Sequence, residues 1–423
     1  MEERLPPQLF RRWSVHGNSD WTPQKLAWMA ILMSWDEACT LGERFDHTRR
    51  LLQALQPRWK LPMSYSGFVA ALEQHTPTLR AALVERLRPG EHQTRCWRVA
   101  GWLALAVDGS RFEAPRTVVN ERRLGCAGKE RSGPQVFQTT VQHVGTGLPW
   151  DFRLGPGTDS ERWHLDDMLT GLPSQVLLLA DAGFVSYELC AWLTSQRQAF
   201  LMRVGGNIRW LTSLGWHYEQ KGRIVYLWPD ARRSQPPLVL RLIVIQDDGK
   251  RPVYLLTNVL DAEELSDDTA GQLYRQRWGI EVYYRTAKQT FGHRRLLSRS
   301  PDAALLEQTW MVLGLWFLDR LTVSAVEEAG HAPRERSGAQ SRTIIRRVLR
   351  QALDPGSQSE GTPLKAQLAR AVKDGYRRRG PKQTRPWPRK KEQRPPKAPK
   401  LQEATDSERQ RAQPLWHATP LRL

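Results

Sequence analysis

A chain of 423 residues, 40% of them hydrophobic, can bury a sizeable core but is too long for a single small one, so two to three domains are expected. A net charge of +19 with a pI near 10.2 points to a polyanionic partner, nucleic acid before membrane, since no basic amphipathic anchor stands out. Cys39, Cys96, Cys126 and Cys190 are too scattered for a zinc site or a disulfide framework and read as packed free thiols; with no signal peptide and no apolar run near roughly 18 residues, a cytoplasmic protein without membrane contact is expected.

Residues 1–95 read as helical. Thr22-Pro23 can open a helix, with Leu26, Met29, Leu32 and Met33 following at helical spacing. A second helix is expected over Arg44–Leu55 and a third over Ser66–Leu87, interrupted near Pro77. Arg49, Arg50, Arg80, Arg86 and Arg88 give these helices basic faces; a helical cap on a catalytic core is the bland alternative.

At Gly101 the pattern changes. Trp102–Val107 is a short apolar run, a buried strand that ends in Asp108-Gly109-Ser110. Taken alone, Asp108 would more often be a turn residue than a ligand. Strands over Val136–Val144 and Leu148–Leu154 form a hairpin through Gly145-Thr146-Gly147, and Asp159-Ser160-Glu161 starts a helix with Trp163, Met168 and Leu169 on one face. The next strand, Val176–Ala180, ends in Asp181-Ala182-Gly183, the same construction as at Asp108. Two aspartates delivered at the ends of two buried strands are far less ordinary than one. A helix over Tyr187–Ser195 and a strand over Ala199–Val204 complete the order.

Residues 205–260 are β-rich, with strands at Val225–Trp228, Leu238–Gln246 and Val253–Thr257. They separate Asp181 from the next acid of interest by too much chain for a plain connection. That acid is Glu281, on a helix spanning Tyr274–Lys288. Leu273, Ile280, Tyr284, Ala287 and Phe291 form its apolar stripe, and Tyr274, Arg277, Glu281 and Lys288 form a second stripe beside it. A carboxylate in a row with two cations suits a site that holds a metal-bound phosphate. Arg285 lies about 60° further round and is a weaker candidate.

A long apolar helix over Asp302–Glu328 packs on the core, and short helices are expected at Thr343–Leu353 and Leu364–Lys373. From Lys373 to Lys400 there are 12 Lys/Arg against 2 Asp/Glu among six prolines, and the chain from about 376 reads as a disordered, phosphate-contacting tail in which Trp387 stacks on a base or packs back. Most of the 18 tryptophans, among them Trp102, Trp163, Trp192, Trp278, Trp310 and Trp316, read as core packing.

The spacing Tyr274, Arg277, Glu281, Lys288 resembles that of bacterial insertion-sequence transposases with an Asp-Asp-Glu active site, the IS-four-like Tyr-Arg-Glu-Lys group. The resemblance covers roughly Gly101–Phe317. It implies a ribonuclease H-like α/β core in two parts, 100–204 and 261–330, with a β-rich insertion at 205–260. A helical, DNA-binding N-terminal domain (1–95) and a basic C-terminal region (331–423) flank that core. It implies that Asp108, Asp181 and Glu281 are catalytic and hold Mg²⁺, with Mn²⁺ as a substitute. Arg277 and Lys288 then hold phosphates, Tyr274 hydrogen-bonds one, and Arg285 adds a DNA contact. The implied partners are double-stranded DNA, as transposon ends and target, and a second copy of the chain in the paired-end complex. Some relatives carry a tryptophan in the last strand of the insertion, where this chain has Val253 beside Tyr254.

Other classes use the same residue types. Glycosidases need paired carboxylates but neither the Arg and Lys beside them nor the charge. A catalytically silent DNA-binding remnant would have no use for three intact acids. Other ribonuclease H-like nucleases would usually lack the insertion and the Tyr-Arg-Glu-Lys row.

Overall fold

The structure, a computed structural model, describes residues 5–10, 20–128, 133–206, 208, 211–213, 223–227, 236–246, 251–353, 362–373 and 397–418. Four helices come first: α1 (Pro23–Met33), α2 (Leu41–Leu55), α3 (Tyr65–Leu87) and α4 (Glu91–Cys96). Then follow β1 (Arg98–Val99), β2 (Trp102–Glu113), α5 (Val118–Arg123), β3 (Gln135–His143), β4 (Pro149–Pro156), α6 (Glu161–Leu169), β5 (Val176–Ala180), α7 (Tyr187–Ser195) and β6 (Ala199–Val204). The β-rich stretch holds β7 (Leu211–Ser213), β8 (Arg223–Leu227), β9 (Leu238–Ile245) and β10 (Val253–Thr257). Next come α8 (Asp267–Gln276), α9 (Trp278–Arg285), a π-helical turn (Thr286–Thr290), α10 (Pro301–Glu328), α11 (Gly338–Leu353), α12 (Leu364–Leu368), β11 (Leu401–Glu403) and α13 (Asp406–Ala418).

Contacts divide the chain into two units. The first comprises Met1–Cys96, Asp108–Thr170 and Gly279–Lys373; the second comprises Trp97–Val107, Gly171–Trp278 and Asp374–Leu423. Strand β2 is shared between them, since the division falls after Val107.

In the first unit the N-terminal helices pack around α10. Thr22 caps α1 with Pro23 at its first position, and Thr40 and Glu43 form a reciprocal capping box at α2. The apolar α10 is long enough to cross a membrane, but 89% of its most apolar window is buried, so the core consumes that surface. Trp35 stacks on Phe317 at 6.1 Å and Trp28 meets the same ring edge-on at 5.7 Å. Buried indoles also find acceptors: Trp35 Nε1 donates to the Gly314 carbonyl at 3.0 Å, Trp316 Nε1 to the Leu87 carbonyl at 3.0 Å, and Trp310 Nε1 to Thr76 Oγ1 at 2.9 Å. The hairpin of β3 and β4 falls where its turn residues place it, beside the second half of β2.

Helix α3 runs through Pro77 without the expected interruption. Buried Leu72, Leu79 and Leu83 on either side supply the packing that outweighs the lost backbone bond. Trp163 and Trp278 are also not core residues: they are 69% and 57% exposed. A large apolar side chain does not by itself reveal which face of its helix is buried.

The second unit is a sheet in the order β11-β7-β8-β9-β10-β6-β5-β2. β5 runs parallel to both β2 and β6, and β10 closes antiparallel on β6. The β-rich stretch therefore extends the same sheet that carries β5. Disorder from about 376 does not hold over residues 397–418. Leu401 pairs with Leu211, and Ala412 of α13 is fully buried against a cluster containing Ile224, Tyr226 and Val239. Thr405 and Glu408 cap α13 reciprocally, a Thr-x-x-Glu signal the surrounding cations masked. Residues 374–396, including Trp387, lie outside the described ones, as does Trp228.

Of the cysteines, only Cys190 is packed, fully buried, with its thiol pushed up to about 12 by burial; Cys39, Cys96 and Cys126 are exposed, and all four are free.

Candidate functional site

In the first unit, Asp108 does not end its strand; β2 continues to Glu113. The apolar run stops at Val107 because burial stops there, and the chain stays extended with Asp108, Gly109 and Ser110 half-buried. Asp108 Oδ1 accepts the Gly109 amide at 2.9 Å. Gly109 is required by proximity: a Cβ there would lie 2.6 Å from the Phe137 ring and 3.0 Å from Glu161 Oε2. The missing side chain leaves room for Glu161, whose carboxylate packs against the Gly109 backbone on the face of β2 opposite the Asp108 side chain. Sequence reasoning used Glu161 only as a helix start.

Glu281 and Lys288 belong to the same unit. Tyr284, one helical turn beyond Glu281, is buried, and its hydroxyl reaches the carbonyl oxygens of Asp108 at 2.9 Å and Gln138 at 3.3 Å. One phenol therefore joins α9 to β2 and β3 at the level of Asp108. Lys288 Nζ donates to Ser110 Oγ at 2.8 Å and lies 4.8 Å from the centre of the Phe112 ring. Burial pushes the Lys288 ammonium down; Arg294 and Arg111 add to this and Glu113 opposes it. Arg285 is exposed.

Asp181, Tyr274 and Arg277 fall in the second unit. Asp181 follows β5 and folds its own turn, accepting the Gly183 amide on Oδ1 at 2.8 Å. Arg277 is buried, with its guanidinium 5.4 Å from the centre of the Tyr274 ring. Burial pushes the Tyr274 phenol up, and Asp181 adds to that, while Arg277 and Arg203 pull it back. Tyr274, Arg277, Arg203 and Asp181 therefore share one electrostatic neighbourhood. Arg203 was not singled out in the sequence; it sits on β6, beside the strand that delivers Asp181.

The single helix expected through Tyr274–Lys288 is corrected by the structure. α8 ends at Gln276, Arg277 is its cap, α9 restarts at Trp278, and residues 286–290 form a π turn in which the Phe291 amide bonds to the Thr286 carbonyl. A π turn is wider than an α turn, so one helical wheel cannot carry Lys288 in phase with Tyr274. The apolar stripe survives all the same: Leu273, Ile280, Tyr284, Ala287 and Phe291 are buried.

Among the described residues no group of three or more His, Cys, Asp or Glu side chains is arranged to hold a metal ion. The donors that Asp108, Asp181 and Glu281 offer are carboxylates, the hard oxygen ligands that suit Mg²⁺ or Mn²⁺ and not a thiolate- or imidazole-binding metal.

Residues 103–317 match the family described as the transposase DDE domain. The chain is also 30% identical over 322 residues, covering 71% of its own length and 70% of the relative's, to the transposase InsG for insertion sequence element IS4 of Escherichia coli (strain K12). The chain belongs to the DDE transposases, a family that cleaves and transfers DNA strands, and is related to those of IS4-type insertion sequences. Among solved structures it is similar to the piggyBac transposase synaptic complex with hairpin DNA, with a TM-score of 0.43 at 14% identity over 88% of this chain and 81% of that one.

Proposed function

We propose that the protein is a transposase that binds the inverted-repeat ends of its insertion sequence and performs Mg²⁺-dependent strand cleavage and strand transfer on a ribonuclease H-like core. The observation that carries this reading is a register. β2 and β5 are parallel neighbours with Ala106 opposite Leu179, and two residues further along each chain is an aspartate, Asp108 and Asp181. Glu281 is the third acid, and the Tyr284 hydroxyl ties its helix to the Asp108 carbonyl. These three carboxylates would hold Mg²⁺, or Mn²⁺ in its place. The ion, when bound, supplies Lewis-acid stabilisation of charge at phosphorus and lowers the pKa of the attacking hydroxyl or water.

The protein's own groups orient the DNA. Lys288, pre-positioned by Ser110, and Arg277, pre-positioned on Tyr274, take phosphate oxygens, and the phenol of Tyr274 donates to one. Arg285, exposed, reaches a flanking phosphate. A phosphate at Lys288 would offset the burial that pushes its ammonium down. The N-terminal helices recognise the end sequence. Two copies act together in the paired-end complex, and the protein works in the bacterial cytoplasm on the nucleoid.

Cleavage of a labelled transposon end by wild type, Asp181→Ala and Glu281→Ala proteins, with and without Mg²⁺, tests the assignment. Wild-type cutting that needs the ion, and losses of at least about a thousandfold in both variants, are expected, on the scale of removing a principal charge-stabilising group. Activity surviving either substitution rejects the acid set. End binding without any cleavage by the wild type would favour a silent remnant.

A further inference from the structure

Helix α11 carries Arg342, Arg346, Arg347 and Arg350 and no acidic residue. Spacing by four places Arg342, Arg346 and Arg350 on one face, about 6 Å apart along the axis. All three converge on one carboxylate, Glu37, in the loop after α1. Arg346 Nη1 donates to Glu37 Oε2 at 2.7 Å, Arg342 Nη2 lies 3.7 Å from the same oxygen, and Arg350 donates to Oε1. The neighbouring acid, Asp36, is already engaged by the Ala38 amide at 2.7 Å and by His47 Nδ1 at 3.2 Å.

Glu37, with Asp36 also acting on Arg346, leaves the three guanidiniums short of a full set of negative charges, and the donors outnumber the acceptors. Arg346 Nη2 and Arg342 Nε are buried and meet no acceptor among the described residues. Arg346 is fixed, 9% exposed with Nε donating to the Trp35 carbonyl at 2.9 Å, whereas the side chains of Arg350 and Glu37 are 72% and 52% exposed. The row therefore has a rigid inner member and a wet outer edge, and it borders a cleft of about 580 Å³. Burial pushes the Glu37 carboxyl up, but Arg346, Arg350 and Arg342 outweigh it and hold the group below its ordinary value. Planar guanidinium forks match phosphate oxygens better than a single carboxylate does, and the exposed fork of Arg350 and the partly exposed one of Arg342 are the ones open to it. The row also starts close to the chemistry, because Gly338 packs against Thr286 in the π turn that carries Lys288.

We infer that this face of α11 is a contact for the sugar-phosphate backbone of DNA, and that Glu37 occupies the place of a phosphate when DNA is absent. The inference rests on the DNA-binding reading above and extends it to a surface that includes none of the seven candidate residues. Arriving DNA displaces Glu37 from Arg342 and Arg350 while Arg346 keeps its bond to the Trp35 carbonyl. Glu37 then acts as an internal competitor that weakens binding to DNA held only by its charge.

The test is the salt dependence of binding to duplex DNA for wild type, Glu37→Gln and the double variant Arg342→Ala/Arg350→Ala. Two lost phosphate contacts should lower the magnitude of the slope of log K against log salt by about 2 and weaken low-salt binding roughly ten- to a hundredfold. Glu37→Gln should move the other way, binding several-fold more tightly. A wild type that binds DNA while both variants bind identically overturns this inference and leaves the proposed function standing. A wild type that fails to bind overturns both. Weaker binding by Glu37→Gln, or a lower thermal midpoint with unchanged binding, would make Glu37 a structural bridge and also overturn it. So would a double variant that loses affinity for polyglutamate but not for DNA, since the partner would then be an acidic protein. The double variant removes one largely exposed side chain, Arg350, and one partly exposed one, Arg342, so its thermal midpoint serves as the folding control.

Discussion

Tyr284 ties α9 to β2 and β3 with one hydroxyl. Its single proton is shared between the carbonyl oxygens of Asp108 and Gln138, on β2 and β3, and burial raises the phenol well above its ordinary value, so it stays protonated and able to donate. Tyr284→Phe keeps the ring packing against Phe112 and Tyr283 and removes the donor alone. One buried carbonyl, of Gln138, and one half-buried one, of Asp108, then lose a partner, which costs about 1–3 kcal/mol. The expected outcome is a denaturation midpoint lowered by that amount and a higher Mg²⁺ concentration for half-maximal cleavage, because Asp108 and Glu281 lose their shared tether. A lower midpoint with an unchanged Mg²⁺ requirement would confine Tyr284 to a packing role. In the sequence Tyr284 was legible as a member of a buried stripe, since hydrophobic spacing marks burial. Its hydroxyl was not legible, because the partner carbonyls lie 176 and 146 residues away along the chain. Glu161 escaped for the same reason: only its approach to Gly109, far away along the chain, reveals it.

Elements were read best where local chemistry and burial agree. β5, α7, β6 and β10 match their expected bounds, because apolar runs of strand length bounded by Asp, Gly or Ser leave little choice. They were read worst where tertiary packing overrides a local rule, as at Pro77 and at the π turn. Pro77 is exposed and sits within α3, where an interior proline costs about 3 kcal/mol relative to alanine. The neighbouring Thr76 offsets part of that cost: its hydroxyl donates to the Leu72 carbonyl at 2.6 Å and accepts from Trp310 Nε1 at 2.9 Å. Pro77→Ala restores a backbone donor without touching either bond, so it should stabilise the protein by about 1–3 kcal/mol in urea unfolding. Loss of stability instead would mean that α10 docks only against the α3 geometry that the proline enforces.

At the scale of the whole molecule, two buried histidines in the first unit set how the fold responds to acid. His143 and His293 are both held neutral by burial, with pKa values lowered to about 4; Arg334 adds to the effect at His143 and Arg44 at His293. His293 Nε2 donates to the Ser34 carbonyl at 2.8 Å, linking the end of the π turn to α1, and His143 Nδ1 pairs with Thr146 in the β3–β4 turn at 2.9 Å. Both groups bind a proton more readily in the unfolded chain, where the ordinary value is about 6.5. Their contribution is therefore complete above pH 6.5 and is lost as the pH falls from there toward 4. At about 1.4 kcal/mol per pH unit per group, each costs up to about 3 kcal/mol over that window, comparable with the whole margin of a small domain. Urea midpoints measured from pH 7.5 down to 4.5 should thus stay level to about 6.5 and then fall steeply. His293→Gln retains a donor for the Ser34 carbonyl and cannot titrate, so it should roughly halve that fall while costing some stability at pH 7. An acid response equally steep in this variant would assign the loss to carboxylates paired with the many surface arginines, whose protonation acts in the same direction but at lower pH.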